Sequence, residues 1–373
     1  MTALAGLKVI EIAGLAPAPF AGKVLADFGA DVVRVDRSTS AMNLDVLAQN
    51  KRSIALNLKS PAGIEALIRL CEKADVVIEP FRPGVMERLG LGPDVLLKRN
   101  PRLIYARMTG FGQEGHYAKM AGHDINYLAI SGVLSTLGKH DEKPAFPINI
   151  LADFAGGGLM CALGILLALQ ERTKSGKGQV VDAAMIDGVN YLGSFVYNMN
   201  KAGALFQTPA GTGQLDGGSH FYDTYKTKDG LFMAVGAIEV EFYKLLLKGL
   251  DLDEEKDNLP EQMDSSNWPK MKALFTRIFL SKTQAEWVKI FDKTDACVTP
   301  VLDYYSMPTP APAPRLLRTP AKAPVSNDGT DVFLEVGGES KKILAEAGFS
   351  EEEIRDLVAK KAVAGAGLEK SSL

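Results

Sequence analysis

Short β-rich runs alternate with runs of helical period through roughly the first 110 residues. Apolar residues concentrate at Lys8–Ile12, Asp31–Val35, Ser53–Leu58, Asp75–Ile78 and Leu103–Met108, which predicts five short strands. Pro19–Phe28 and Ala62–Lys73 instead space their apolar residues as one face of a helix. This β-α-β alternation predicts a Rossmann-like α/β large domain, a mostly parallel sheet covered by helices. The chain after the first strand reads Ala13-Gly14-Leu15-Ala16-Pro17-Ala18-Pro19, so the G-x-G-x-x-G fingerprint is missing. A Walker phosphate loop is missing too, and the fold class by itself names no ligand.

Further along, the uncharged run Phe154 to Leu169 predicts a buried helix, stopped at Gly176-Lys177-Gly178 and followed by a second segment from Val180 to Asn200. Residues 201–218, rich in Gly, Ala and Thr, form an expected linker. Phe221–Lys226 and Leu231–Val235 flank Thr227-Lys228-Asp229-Gly230, whose Asp-Gly pair is a hairpin signal. With helices expected at Glu241–Leu250 and Lys270–Leu280, residues 219–303 make a smaller α+β domain. Met307 to Pro324 holds six prolines and must be extended, so 304–324 is an expected return linker. The large domain then spans 1–200 and is completed by 318–373, with a helix near Glu351–Lys361.

Composition narrows the function. A formal charge of −3 gives no electrostatic case for nucleic acid. Cys71, Cys161 and Cys297 are far apart and odd in number, which suggests reduced thiols and lacks metal-ligand spacing. The Phe154–Leu169 run falls short of the roughly 20 residues that span a bilayer, so no membrane insertion is expected. The residues before the first strand are too few and too plain for a signal peptide or Arg-rich presequence, so neither is expected. The terminal Lys370-Ser371-Ser372-Leu373 loosely matches a Ser-Lys-Leu peroxisomal address, and an arbitrary polar tail is the alternative.

The candidate chemistry centres on Gly122-His123-Asp124-Ile125-Asn126-Tyr127 and on Asp153, which opens a glycine-rich apolar segment. With only four histidines in the chain, one set among apolar and small residues needs a reason. Inverting a carbon centre is easiest with two acid/base groups, one on each face. A His and an Asp in a water-poor pocket can be tuned to that task. Read alone, His123 could equally be a hydrogen-bonded core histidine and Asp153 a helix cap.

The chain as a whole resembles the CoA-dependent racemases within the class III CoA-transferase (CaiB/BaiF) family. The resemblance is carried by Gly14–Phe20, Val32–Arg37, Glu79–Val85, Leu103–Arg107, Gly122–Tyr127, Ala152–Gly158, Ala234–Glu239 and Thr294–Pro300, all in order. It implies an interlocked homodimer that interconverts (2R)- and (2S)-2-methylacyl-CoA thioesters by proton transfer through an enolate. That activity would feed β-oxidation of branched-chain fatty acids and bile-acid intermediates in peroxisomes and/or mitochondria. His123 and Asp153 would be the two proton carriers. Glu239, delivered from the partner subunit, would orient the histidine.

Arg37 would contact the CoA phosphates and Ala55, Leu56, Asn57 and Leu58 would cradle the adenine. Lys59, Arg82 and Arg88 are further cations for CoA, and Gly122 through Tyr127 would line the pantetheine and thioester end. The Asp153 backbone N–H, at a helix start, is the expected donor to the enolate oxygen. Gly156–Gly158 would admit the thioester close to the backbone. No metal and no separate cofactor is called for, CoA being part of the substrate. Ala210 and Gly213 stand where relatives carry Arg and Asn, and the stretch after Tyr305 is shortened, so the acyl pocket or the dimer wrapping is expected to differ. A class III CoA-transferase with Asp153 as nucleophile is the alternative, and a non-catalytic CoA-binding scaffold is a third reading.

Overall fold

The computed structural model describes residues 1–39, 45–323 and 333–368. The chain forms two compact units. The first joins Met1–Ser131, Pro147–Leu192 and Thr309–Leu373, and the second joins Gly132–Phe146 and Gly193–Pro308. The division thus falls after Leu192 rather than after 200, and the excursion 132–146 packs with the second unit. Residues 201–218 belong to that unit as well, because hydrogen bonds fold the segment onto itself: Gly211 and Gly213 N–H both donate to the Asp216 carboxylate.

Among the described residues the strands are β1 (Lys8–Ile12), β2 (Asp31–Arg37), β3 (Arg52–Leu56), β4 (Val76–Glu79), β5 (Ile104–Thr109), β6 (Val180–Ala184), β7 (Tyr222–Lys226), β8 (Phe232–Gly236), β9 (Val298–Pro300) and β10 (Val363–Ala364). The first unit holds a seven-stranded sheet in the order β10-β3-β2-β1-β4-β5-β6. Every pairing is parallel except that of β10 with β3. β4 and β5 are buried along their whole length, which is why they read as continuous apolar runs. Strand order reverses direction between β1 and β4, and in such sheets ligands bind beyond the carboxyl ends at that switch point. β6 opens the segment that begins at Val180, whose type the sequence left open. It is an edge strand of alternating exposure.

The residues from 333 onward complete this unit. Ile343, Leu344, Phe349, Ile354, Leu357 and Val363 join Ile54, Leu56, Leu67 and Val77 in one core. A reciprocal capping box, Ser350 with Glu353, starts the helix Glu351–Ala359.

A π-helix over Ile150–Leu159 runs without a break into the α-helix Met160–Ser175, which ends at Gly176 with φ +73°. Together they make 26 residues, long and apolar enough by length and composition to cross a membrane. The expectation of a run too short to span is therefore corrected, because it missed the continuity of the two helical segments. The buried face carries Cys161, Ala162, Ile165 and Ala168, while Leu159, Leu163, Leu166 and Leu167 are exposed along the other.

The second unit pairs β7, β8 and β9 antiparallel. Helices Val240–Gly249 and Trp268–Phe279 are its longest, and its core is aromatic: Phe221, Tyr225, Tyr243, Phe275, Phe279 and Trp287 are fully buried or nearly so. His220 sits within it at 1 % exposure, its Nε2 2.8 Å from Tyr243 Oη and its Nδ1 without a partner among the described residues. Burial, with help from Lys272, pushes its pKa down to about 4 from 6.5. The unfolded chain therefore takes up a proton that the folded chain refuses. Stability should fall as pH drops from 6.5 towards 4, by about 3 kcal/mol at the lower end. Melting curves across that range should show a steeper acid loss for the wild type than for His220→Gln. Parallel curves would refute the assignment.

Candidate active site

The proton-carrier candidates are held by two adjoining segments of the first unit, one following β5 and one following the excursion 132–146. Tyr127 fixes the first segment. Its ring lies against Gly110 and Gly122, where any Cβ would collide with it, and packs edge-on to Phe111 with ring centres 4.9 Å apart. Its hydroxyl donates to the Gly122 carbonyl. His123 immediately precedes the helix Asp124–Ser131, and its N–H donates to Asn126 Oδ1 at 3.0 Å. The His123 carbonyl accepts from Asn126 and Tyr127 N–H. This places the imidazole at an exposed helix start rather than in a core, which removes the core-histidine alternative.

Asp153 lies in the π-helix, an arrangement in which i→i+5 bonding swings side chains away from α-helical positions. Gly156, Gly157 and Gly158 are buried. A Cβ on Gly156 would come within 2.9 Å of Val189, one on Gly157 within 2.7 Å of Met185, and one on Gly158 within 2.6 Å of the Pro17 carbonyl. These glycines let two neighbouring helices, Pro17–Asp27 and Met185–Leu192, approach the π-helix. The expectation that they admit the thioester is thus corrected.

Asp124 joins the two segments. Its buried Oδ2 accepts from Ala152 N–H at 2.7 Å and Asp153 N–H at 2.8 Å. The Asp153 N–H is therefore already engaged and is not the donor for an enolate oxygen. Instead, the N–H groups of Asp124 and Ile125, in the first turn of their helix, have no hydrogen-bond partner among the described residues. Asn149, which the sequence reading did not single out, donates from Nδ2 to Asp153 Oδ2 at 3.3 Å. Its only sequence signal is a polar residue at the start of an apolar helical run.

Burial raises the Asp153 pKa above the usual carboxylate range; Asn149 opposes this, Asp124 adds to it, and the nearby charge of His123 opposes it. Asp153 is thus shifted towards the range where one carboxyl can both take and give a proton. Tyr127 is pushed up to about 12, mainly by burial. It stays protonated and structural. Of the six residues expected to line the thioester end, Asp124 and Tyr127 are buried anchors, whereas Gly122, His123, Ile125 and Asn126 remain accessible.

The expected CoA contacts divide in the same way. Arg37 ends β2, Lys59 follows β3, and Arg82 and Arg88 follow β4; all four are exposed on the carboxyl side of the sheet. Arg82 donates to the Lys119 carbonyl at 3.2 Å. Ala55 and Leu56 are buried and paired to β10, so their side chains do not cradle a base. Asn57 is half-buried and tied by Nδ2 to the Lys361 carbonyl at 3.3 Å, while Leu58 leans on the core. Among these four, Asn57 and Leu58 alone remain partly accessible. Arg34, also unforeseen, is buried and bridges Asp36 and Asp45, which lie on either side of Arg37 in sequence.

Glu239 belongs to the second unit. It is exposed at the N-cap of helix Val240–Gly249, and its charge helps burial raise the pKa of Cys297. In the same unit the loop bearing Gly213 lines a cavity of about 780 Å³ with Phe206, Pro209, Trp268 and Lys272.

The model of CoA-transferase family III matches residues 4–312. Alpha-methylacyl-CoA racemase of Mus musculus is 54 % identical over 95 % of this chain and 96 % of its own, and that of Homo sapiens is 53 % identical over the same shares. The crystal structure of a CAIB/BAIF family protein from Brucella suis superposes with a TM-score of 0.76 at 25 % identity, covering 93 % of this chain and 99 % of that one.

Proposed function

This chain belongs to CoA-transferase family III, and from that premise we infer that it is an enzyme, an alpha-methylacyl-CoA racemase acting on 2-methylacyl-CoA thioesters. The observation that carries the mechanism is the linkage of His123 and Asp153 through one buried carboxylate, which sets an imidazole and a carboxyl of raised proton affinity beside each other.

The thioester acidifies the C–H at its α-carbon. One carrier removes that proton, leaving an enolate whose negative charge sits largely on the thioester oxygen. The first-turn N–H groups of Asp124 and Ile125 point their dipoles towards such a charge, at the positive end of their helix. The other carrier, in its protonated state, then delivers a proton to the opposite face and the configuration inverts. Arg37, Lys59, Arg82 and Arg88 supply positive charge for the CoA phosphates at the carboxyl ends of β2, β3 and β4.

The expected test starts from one pure epimer of a 2-methylacyl-CoA in deuterated water. Both epimers should form, each carrying solvent deuterium at the α-carbon. Transfer of CoA to an added carboxylic acid, without α-exchange, would assign Asp153 to nucleophilic attack instead. The route needs only the CoA borne by the substrate: dialysis against EDTA should leave the rate unchanged, and a loss restored by a metal ion would overturn this.

Self-association belongs to the same reading. The exposed stripe Leu159, Leu163, Leu166 and Leu167, with Tyr191 at 70 % and Leu192 at 45 % exposure in the same unit, gives an apolar extent that supports a second copy as its cover. In the proposed interlocked dimer the partner would bring its own copy of Glu239 to orient His123. Light scattering should give a dimer, and a monomer that still racemises would refute this arrangement. Ser371-Ser372-Leu373 lies outside the described residues. We propose peroxisomal and/or mitochondrial residence, with the tail as an import-receptor ligand. A tail peptide that fails to bind the receptor would remove the peroxisomal half.

A further inference from the structure

We propose that the side chain of Asp124 is a dedicated positioning residue, a buried charge that clamps the π-helix bearing Asp153 to the helix start bearing His123 and so sets the spacing of the two carriers. The inference rests on the racemase reading and deepens it. Asp124 directly follows His123 in sequence, so any movement of its carboxylate is felt at the imidazole. Its Oδ2 receives two N–H groups from a segment 28 and 29 residues away, one of them from Asp153 itself. Those two donors lie within the first turn of the π-helix, so the carboxylate caps that element from outside. Oδ1 is buried with no partner among the described residues, although a buried carboxylate oxygen normally has one. A purely structural cap has no need of a desolvated, half-satisfied charge beside a proton carrier. A residue that also tunes that carrier does.

Electrostatics point the same way, since the Asp124 charge favours the protonated form of Asp153. The other groups facing Asp153 are His123, whose charge opposes Asp124, Tyr127, which stays neutral, and the uncharged Asn149. From the neighbouring elements, Pro17, Phe20, Met108, Met185 and Val189 pack against the π-helix, and none of them titrates. Burial sets the upward direction for Asp153, and Asp124 is the acidic neighbour that adds to it.

The test compares Asp124→Asn and Asp124→Ala in the full-length enzyme, following racemisation and α-hydrogen exchange against pH. Asn keeps the volume and one carbonyl oxygen for the two N–H groups, but not the charge. It should move the limb of the kcat profile that reports Asp153 to lower pH, with kcat lowered less than about 10-fold. Ala removes the clamp and should lower kcat about 100-fold while KM stays within about two-fold, because the CoA-binding cations lie elsewhere. Should Asp124→Ala fail to fold, the pH profile of Asp124→Asn decides alone. A wild-type profile for Asp124→Asn, or a kcat for Asp124→Ala within two-fold of wild type, overturns the proposal and leaves the racemase reading standing. Absence of α-exchange in the wild type overturns both.

Discussion

His123→Ala and Asp153→Ala should each lower racemisation by about three orders of magnitude, the range expected for loss of one general acid–base group, yet leave opposite traces in deuterated water. Each variant keeps one carrier on one face of the α-carbon. That carrier can still remove the proton and return a deuteron to the same face without inversion. One variant should therefore label only the (2R) substrate and the other only the (2S) substrate. The position of Asp124 makes this reasonable, since it sets imidazole and carboxyl beside each other but on different elements. A nucleophilic role for Asp153 predicts another outcome: Asp153→Ala would lose transfer of CoA and His123→Ala would lose little. Loss of label from both epimers in both variants would refute assignment of the carriers to opposite faces.

Gly188→Ala should be nearly as damaging, although the residue touches no substrate. In the helix Met185–Leu192 the Gly188 backbone lies against that of Gly156, and a Cβ at 188 would collide with the Gly156 carbonyl oxygen. Neither partner is the flexible end of a side chain, so relief requires the helices to part. Overpacking of this kind costs about 3 kcal/mol, and it falls on the element that holds Asp153. We expect a clear drop in melting temperature together with a lower kcat. Gly90→Ala supplies a control: Gly90 has open space around it, and its φ of +71° exacts only local strain. Equal melting temperatures for Gly188→Ala and wild type would show that the two helices can part without penalty.

The parallel sheet was legible because its strands are buried on both faces, so their apolar runs stand out whatever the neighbouring sequence. β1 was placed to the residue, and β2 to β5 within two residues at either end. Short edge strands were not legible. β6 carries a polar Asp182 and two alanines, and β10 has two residues that pair only because helix Glu351–Ala359 returns the chain to β3. The π-helix leaves no trace in periodicity, since its form depends on glycines meeting two other helices. The candidate carriers were found from residue type and context. The anchoring role of the Asp124 side chain was not legible because its partners, Ala152 and Asp153, are close only after folding. The burial of the Ala55 and Leu56 side chains was not legible for the same reason, their neighbours on β10 lying some 300 residues further on.

The sheet edge closed by β10 also has a consequence for biosynthesis. The second unit is complete once Pro308 is made, so it can collapse on the ribosome as a self-contained insert. The unit that carries His123 and Asp153 cannot, because Ile343, Leu344, Phe349 and Val363 are still missing from its core. Until those residues emerge, β3 presents an unsealed flank to neighbouring nascent chains. Premature termination between Pro308 and Val363 should thus leave a product with one sound module and one that clumps.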